Sequence, residues 1–253
     1  MRNLLLTLSY DGTDFHGWQV QPNGLSVQQA LCDAIERITG VRENVTGCSR
    51  TDSGVHANEF CCNFRTENAI DCRRLMGSLN AVLPDSIAVT GCIQVPGFFH
   101  ARYDCRGKRY VYRVWNSAAR NPFLDRYSWH YKSRLDAGFL NAQAQAFVGT
   151  HDFTSFCAAG SSVEDKVRIV SSFTVERQGD EVRFIVEANG FLYNMVRIMV
   201  GTLIEISENK IEKNKLVDII DIKDRKYAGR TAPAKGLFLD RVFYEEAIDE
   251  KRR

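Results

Sequence analysis

Between Arg50 and Ala57 the chain reads Arg-Thr-Asp-Ser-Gly-Val-His-Ala. A carboxylate flanked by a guanidinium, two hydroxyls and an imidazole suits nucleophilic or general-base chemistry, with Asp52 as the working group. An arginine close to an aspartate keeps the carboxylate ionised and aims it. The simpler reading is a turn, in which Asp52 and Ser53 bond local amides and Gly54 supplies a positive φ. A turn needs one Asp and one Gly, however, and has no use for Arg50 or His56. On the residues alone both readings stay open.

Phe99 to Trp115 reads FHARYDCRGKRYVYRVW, five Lys or Arg against one acid, with aromatics at 99, 103, 110, 112 and 115. Such interleaving suits a nucleic-acid surface, where cations hold phosphates and each aromatic face stacks a base for about 1 to 3 kcal/mol. It suits a solvated strand face over a Tyr and Trp core equally well. Strand alternation puts Tyr110, Tyr112 and Val114 on one face and Arg109, Arg113 and Trp115 on the other. A second basic run, Lys223, Arg225, Lys226, Arg230 and Lys235, meets only Asp224 and reads as a solvated surface. Arg197 stands among apolar residues after Gly190-Phe191-Leu192-Tyr193-Asn194-Met195-Val196, and a charge so placed calls for a carboxylate partner.

Composition narrows the class. The 253 residues are 44% hydrophobic and 25% charged, ordinary for a globular protein of one large domain or two smaller ones. A net charge of +2 does not by itself announce a nucleic-acid partner. Eight scattered cysteines without a C-x-x-C pair fit reduced, buried thiols rather than a zinc site or a disulfide frame, so no metal is expected. No Walker loop, dinucleotide glycine fingerprint or H-E-x-x-H occurs. The apolar run Leu4 to Leu8 is too short for a signal core or a membrane span, and a cytoplasmic protein without a membrane partner is expected.

The elements that must position these residues follow from periodicity. Leu4, Leu6, Leu8 and Tyr10 alternate as a strand. Ser26 and Gln29 form a capping box before a helical stripe ending at Gly40. Strands near 44 to 50 and 58 to 65 flank the Asp52 loop. A helix from about Asp71 to Val82 stops before Pro84, and a strand covers Ile87 to Val95. The second half predicts a strand at 105 to 115, a helix at 135 to 147, and a hairpin of 168 to 177 with 182 to 188 around Gln178-Gly179-Asp180. Helices at 191 to 206 and 212 to 222 and a strand at 237 to 244 complete it. The order β-α-β-β-α-β, stated twice with one extra helix, predicts an α+β fold. Its expected form is two ferredoxin-like halves, 1–98 and 99–253, with antiparallel sheets abutting around a central cleft.

The chain resembles the tRNA pseudouridine synthase A family over almost its whole length. The resemblance is carried by Tyr10-Asp11-Gly12-Thr13, Gly17-Trp18-Gln19, Arg50 through Ala57, Phe99-His100-Ala101-Arg102 and Lys108 through Arg113. Gly149-Thr150-His151-Asp152-Phe153, Asn194-Met195-Val196-Arg197 and Thr231-Ala232-Pro233 continue it in order. Ser207-Glu208-Asn209-Lys210 departs from it, standing where a glycine often follows the long helix. The resemblance implies isomerisation of uridine to pseudouridine at positions 38, 39 and 40 of the tRNA anticodon stem-loop, by a homodimer without a cofactor. It implies that Asp52 is the catalytic aspartate, that Tyr110 lies against the target base, that Arg197 pairs with the aspartate, and that Arg50 assists base flipping. A non-catalytic RNA-binding module and an aspartate-dependent hydrolase are the competing classes.

Overall fold

In the computed structural model, which describes residues 1–252, the alternating leucines build β1 (Arg2–Tyr10). The elements that follow are α1 (Val27–Thr39), β2 (Thr46–Gly47), β3 (His56–Thr66), α2 (Cys72–Val82) and β4 (Ile87–Val95). Next come β5 (Gly107–Trp115), β6 (Trp129–His130), α3 (Ala137–Ala144), β7 (Gly149–Asp152), β8 (Val167–Gln178) and β9 (Glu181–Ala188). The chain ends with α4 (Met195–Ser207), α5 (Leu216–Ile222), β10 (Leu237–Phe243) and α6 (Glu246–Arg252). The fold is mixed α and β with mostly antiparallel strands; the predicted elements appear in their order, and β6, β7 and α6 are additional to them.

The chain forms two compact units, one of Met1–Arg106 with the chain from Phe238 onward, the other of Gly107–Leu237. The expected division into 1–98 and 99–253 is thus displaced. Residues 99 to 106 and the C-terminal strand and helix belong with the first unit, because β10 pairs in parallel with β3 at His56 and Ala57.

In the first unit β1 is central, antiparallel to both β3 and β4. Leu5 is therefore buried along with Leu4, Leu6 and Leu8, whereas alternation alone expected one covered face. The two residues of β2 pair with β3 at Cys62 and Asn63. That strand is much shorter than the predicted 44 to 50, and the chain beyond Gly47 turns into the Asp52 loop. Half of the predicted capping box forms: Ser26 Oγ accepts from the Gln29 backbone at 3.2 Å, while the Gln29 amide donates to Asp33 instead of returning to the cap. Gly40 closes α1 with φ of 77°.

In the second unit β5, β9, β8 and β7 pair antiparallel in that order, and β6 runs parallel to the end of β5. The hairpin between β8 and β9 turns at Gly179, whose φ is 59°. Helix α4 begins at Met195 rather than near 191, because Asn194 is held left-handed at φ of 59° and cannot enter a right-handed helix. Nearly every position of α4 is buried. A Cβ at Gly201 would meet the Arg230 carbonyl oxygen at 1.8 Å, so the segment through Thr231-Ala232-Pro233 lies directly on this helix. Beyond it Asn209 takes φ of 55°, supplying the left-handed residue expected of a glycine there.

Candidate active site

The Asp52 loop is held by its backbone from two neighbouring segments. Trp18 donates its N–H to the Thr51 carbonyl at 3.2 Å, Gly54 donates to the Phe15 carbonyl at 3.3 Å, and the Ser53 hydroxyl donates to the same oxygen at 3.2 Å. The Thr51 hydroxyl meets Tyr10 Oη at 2.9 Å. Val55 N–H closes a tight turn onto the Asp52 carbonyl at 3.1 Å. Two glycines permit the approach. A Cβ at Gly12 would stand 2.0 Å from the Val55 oxygen, and one at Gly17, whose φ is 82°, 2.4 Å from the Thr51 oxygen. The blocks Tyr10-Asp11-Gly12-Thr13 and Gly17-Trp18-Gln19 thus act as a cradle for the loop. Their types alone give no such role; it is the contact of Gly12 and Gly17 with the loop backbone that reveals it.

His56 is part of that cradle and not a free reactive base. It is 1% exposed, its ring stacks on Phe238 at 4.6 Å, and its Nδ1 lies 3.1 Å from both the Gly12 backbone nitrogen and Asp11 Oδ1. One ring nitrogen cannot accept from the first and donate to the second. The backbone N–H can only donate, and Asp11 Oδ1 already accepts from the Thr13 amide and hydroxyl at 2.9 and 2.6 Å. Nδ1 as the acceptor is therefore the assignment we adopt.

Asp52 is half-buried at the apex of this loop, just before the Ser53-Gly54 turn. Arg50 is exposed and, among the described residues, has no ion-pair partner, so it does not clamp Asp52 as its place in the sequence suggested. It lines an open pocket together with His100, Arg102 and Tyr103.

In the second unit Tyr110 is buried on β5 and meets Phe191 edge-on, with centroids 4.9 Å apart. Its strand neighbour Tyr112 is fully buried and donates to the Pro233 carbonyl at 2.7 Å; burial pushes its phenol well above the ordinary range. Arg197, on the first turn of α4, donates from Nε to the Ala232 carbonyl at 2.8 Å and from Nη1 to Asn194 Oδ1 at 2.6 Å. The left-handed Asn194 and the segment before Pro233 therefore orient this guanidinium.

The other arginines of β5 are engaged with carboxylates of the paired strand: Arg109 with Glu187 at 2.6 Å and Arg113 with Glu181 at 2.7 Å. For these residues the paired strand face prevails over the RNA surface. The basic run at 223 to 235 is similar, with Lys223 on Asp152, Arg230 on Glu208 and Lys235 on Asp125. All eight cysteines are free thiols. Among the described residues no three His, Cys, Asp or Glu come together as a metal site, and no helix is long and apolar enough to cross a membrane.

A family model described as tRNA pseudouridine synthase matches residues 7–104 and 143–245. The chain belongs to the tRNA pseudouridine synthase family. A tRNA pseudouridine synthase A of Thermoanaerobacter sp. (strain X514) is 44% identical over 244 residues, covering 96% of this chain and 100% of the relative. Proteins of the same description from Clostridium acetobutylicum and Brevibacillus brevis are 43% and 45% identical with the same coverage. Among solved structures, a chain of a Cbf5-Nop10-Gar1 complex aligns over 98% of this chain and 60% of its own length. It does so at 11% identity with a TM-score of 0.39, too slight a likeness to build on. The match to the tRNA pseudouridine synthase model includes Arg50, Asp52, the cradle glycines and Arg197, whereas Tyr110 falls in the interval between the matched stretches.

Proposed function

We propose that this member of the family isomerises uridine to pseudouridine at positions 38, 39 and 40 of the tRNA anticodon stem-loop, with Asp52 as the catalytic carboxylate. The observation that carries this reading is the Asp52 loop itself. Its backbone is held by the Gly12 and Gly17 segments, which supports a carboxylate carried on a fixed loop instead of a mobile turn.

The reaction breaks the bond between uracil N1 and ribose C1′, turns the ring, and joins C5 to C1′. The proton on C5 is released and N1 regains one, so atoms balance without oxidant, reductant or energy carrier, and no cofactor is invoked. An ionised carboxylate serves either by attacking C1′ or by removing a sugar proton, and both routes use the same oxygen atoms of Asp52. In this reading Tyr110 lies against the target base, Arg197 pairs with the carboxylate, and Arg50 assists the base out of its stack. Unstacking costs a few kcal/mol, which phosphate and stacking contacts offset. In the first unit β4, β1 and β3 pair in that order, with both the two-residue β2 and the parallel β10 on β3; the β4-β1-β3-β2 pairings within it support the ferredoxin-like assignment. A homodimer working in the cytoplasm completes the proposal.

Carbodiimide labelling of a tRNA transcript followed by primer extension tests the target positions. Stops are expected one nucleotide 3′ to position 38, 39 or 40 wherever a uridine stands there. Stops confined to another arm of the tRNA would refute the assignment.

A further inference from the structure

The open pocket beside the Asp52 loop, about 250 Å³ in volume, lies wholly within the first unit. Its wall includes Arg50, Arg102, His100 and Tyr103, with Gln19 and Asn44 at its polar side, and no carboxylate lines it. Neither Arg50 nor Arg102 has an ion-pair partner among the described residues, and both are exposed. Two arginines without ion-pair partners lining one concavity that holds no carboxylate favour a phosphate ligand.

The aromatic side of the pocket is built, not incidental. His100 and Tyr103 stack with centroids 4.2 Å apart, and Tyr103 remains 76% exposed. His100 Nδ1 accepts the backbone N–H groups of Arg102 and Tyr103 at 3.2 and 3.3 Å, which leaves Nε2 as its donor. The segment carrying these residues is pinned by buried amides. Asn3 donates to the Phe99 carbonyl at 2.9 Å, Asn63 accepts from the Ala101 N–H at 2.8 Å, and the Tyr244 hydroxyl donates to the Ala101 carbonyl at 2.7 Å. Elsewhere in the lining, Trp18 stacks on Phe60 at 4.1 Å and Gly47 leaves no room for a side chain against the indole.

We propose that this pocket is a nucleotide subsite for a second residue of the substrate RNA, outside the reacting uridine. Arg102 with Arg50 holds its phosphate, and the face of Tyr103, backed by His100, stacks its base. The polar amides at the rim tolerate more than one base. The subsite contributes affinity and register, while the chemistry stays with Asp52. This inference rests on the proposed reading of the chain as a tRNA-modifying enzyme.

The test uses the full chain and one tRNA transcript containing a target uridine. Fluorescence anisotropy gives affinity across a salt series, and single-turnover assays at saturating enzyme give the chemical rate. Arg102→Ala should weaken binding by about 3- to 10-fold near 0.1 M salt and reduce the salt slope by about 1, whereas Arg102→Lys should keep the slope. Tyr103→Ala should weaken binding by about 5- to 100-fold and Tyr103→Phe hardly at all. The saturated rate should match wild type in all four. Unchanged affinity and slope in Arg102→Ala together with unchanged affinity in Tyr103→Ala overturns the subsite, as does a lost rate at unchanged affinity. The reaction itself is judged separately by Asp52→Ala, because the affinity readings hold whether or not pseudouridine forms.

Discussion

Two sets of arginines in this molecule look alike in sequence and behave differently in the fold. Arg109 and Arg113 on β5, like Lys223, Arg230 and Lys235, face carboxylates on neighbouring elements. Arg50 and Arg102 face a pocket without a carboxylate. A run of basic residues is therefore a poor guide to where phosphate binds. Paired guanidiniums are already neutralised, and engaging RNA with them would first require breaking an ion pair. Two arginines without a carboxylate partner among the described residues line a pocket beside the loop carrying Asp52.

The sharpest way to break this contrast is to move the loop. Gly12→Ala puts a methyl group 2.0 Å from the Val55 oxygen and must displace the backbone on which both Arg50 and Asp52 ride. Turnover should fall by about 100-fold or more, the scale of a misplacement near 1 Å. Normal kcat in this variant would show that the cradle does not position Asp52. A second, smaller effect distinguishes the two arginine sets directly. Replacing Arg109 or Arg113 by Ala should leave the salt slope of tRNA binding within error, in contrast to Arg102→Ala. If the β5 variants lose slope instead, the paired residues contact phosphate and the contrast fails.

Stability sharpens it from the other side. The Arg113 and Glu181 pair is partly buried across β5 and β9, and a double-mutant cycle in denaturant should give a coupling of about 0.5 to 1 kcal/mol. No coupling would mean the pair is incidental. The smallest expected effect concerns Glu208. Burial raises its carboxyl, but hydrogen bonds from Lys210, Arg230 and Tyr131 outweigh this and bring it from 4.5 down to about 2. A depressed carboxyl contributes stability that is fully present above its unfolded value and is lost as pH falls through the folded one. Glu208→Gln should thus lower Tm by about 2 to 4 °C at neutral pH for about 1 kcal/mol of pairing. The gap to wild type should close as pH falls from about 4.5 towards 2. A gap independent of pH in that window would place the effect elsewhere.

Much of this was legible in the sequence where local physics decides. The helical stripes, the hairpin at Gly179 and the stop before Pro84 follow from periodicity and turn chemistry, and the strand ends fell within a few residues. Long-range pairing was not legible. Nothing local to Phe238 says that its strand joins β3, which is why the units differ from 1–98 and 99–253. Asn194 hid the start of α4, since an Asn among apolar residues gives no sign of a left-handed backbone. In the candidate site, Asp52 stood out by the excess of reactive neighbours. Two of those neighbours serve otherwise: His56 is buried against Gly12 and Phe238, and Arg50 lines the pocket without an ion-pair partner among the described residues. The glycines that let the segments touch were visible, but only contact distances reveal what they make room for.

In the proposed reaction the isomerisation runs on the Asp52 carboxylate. Release of tritium from tRNA labelled at uracil C5, followed for wild type and for Asp52→Ala with tRNA affinity measured in parallel, tests it most directly. Wild type should release tritium from target uridines, and Asp52→Ala should bind the same tRNA and release none. Release by Asp52→Ala at a rate comparable to wild type, or none by wild type on any tRNA, would contradict it.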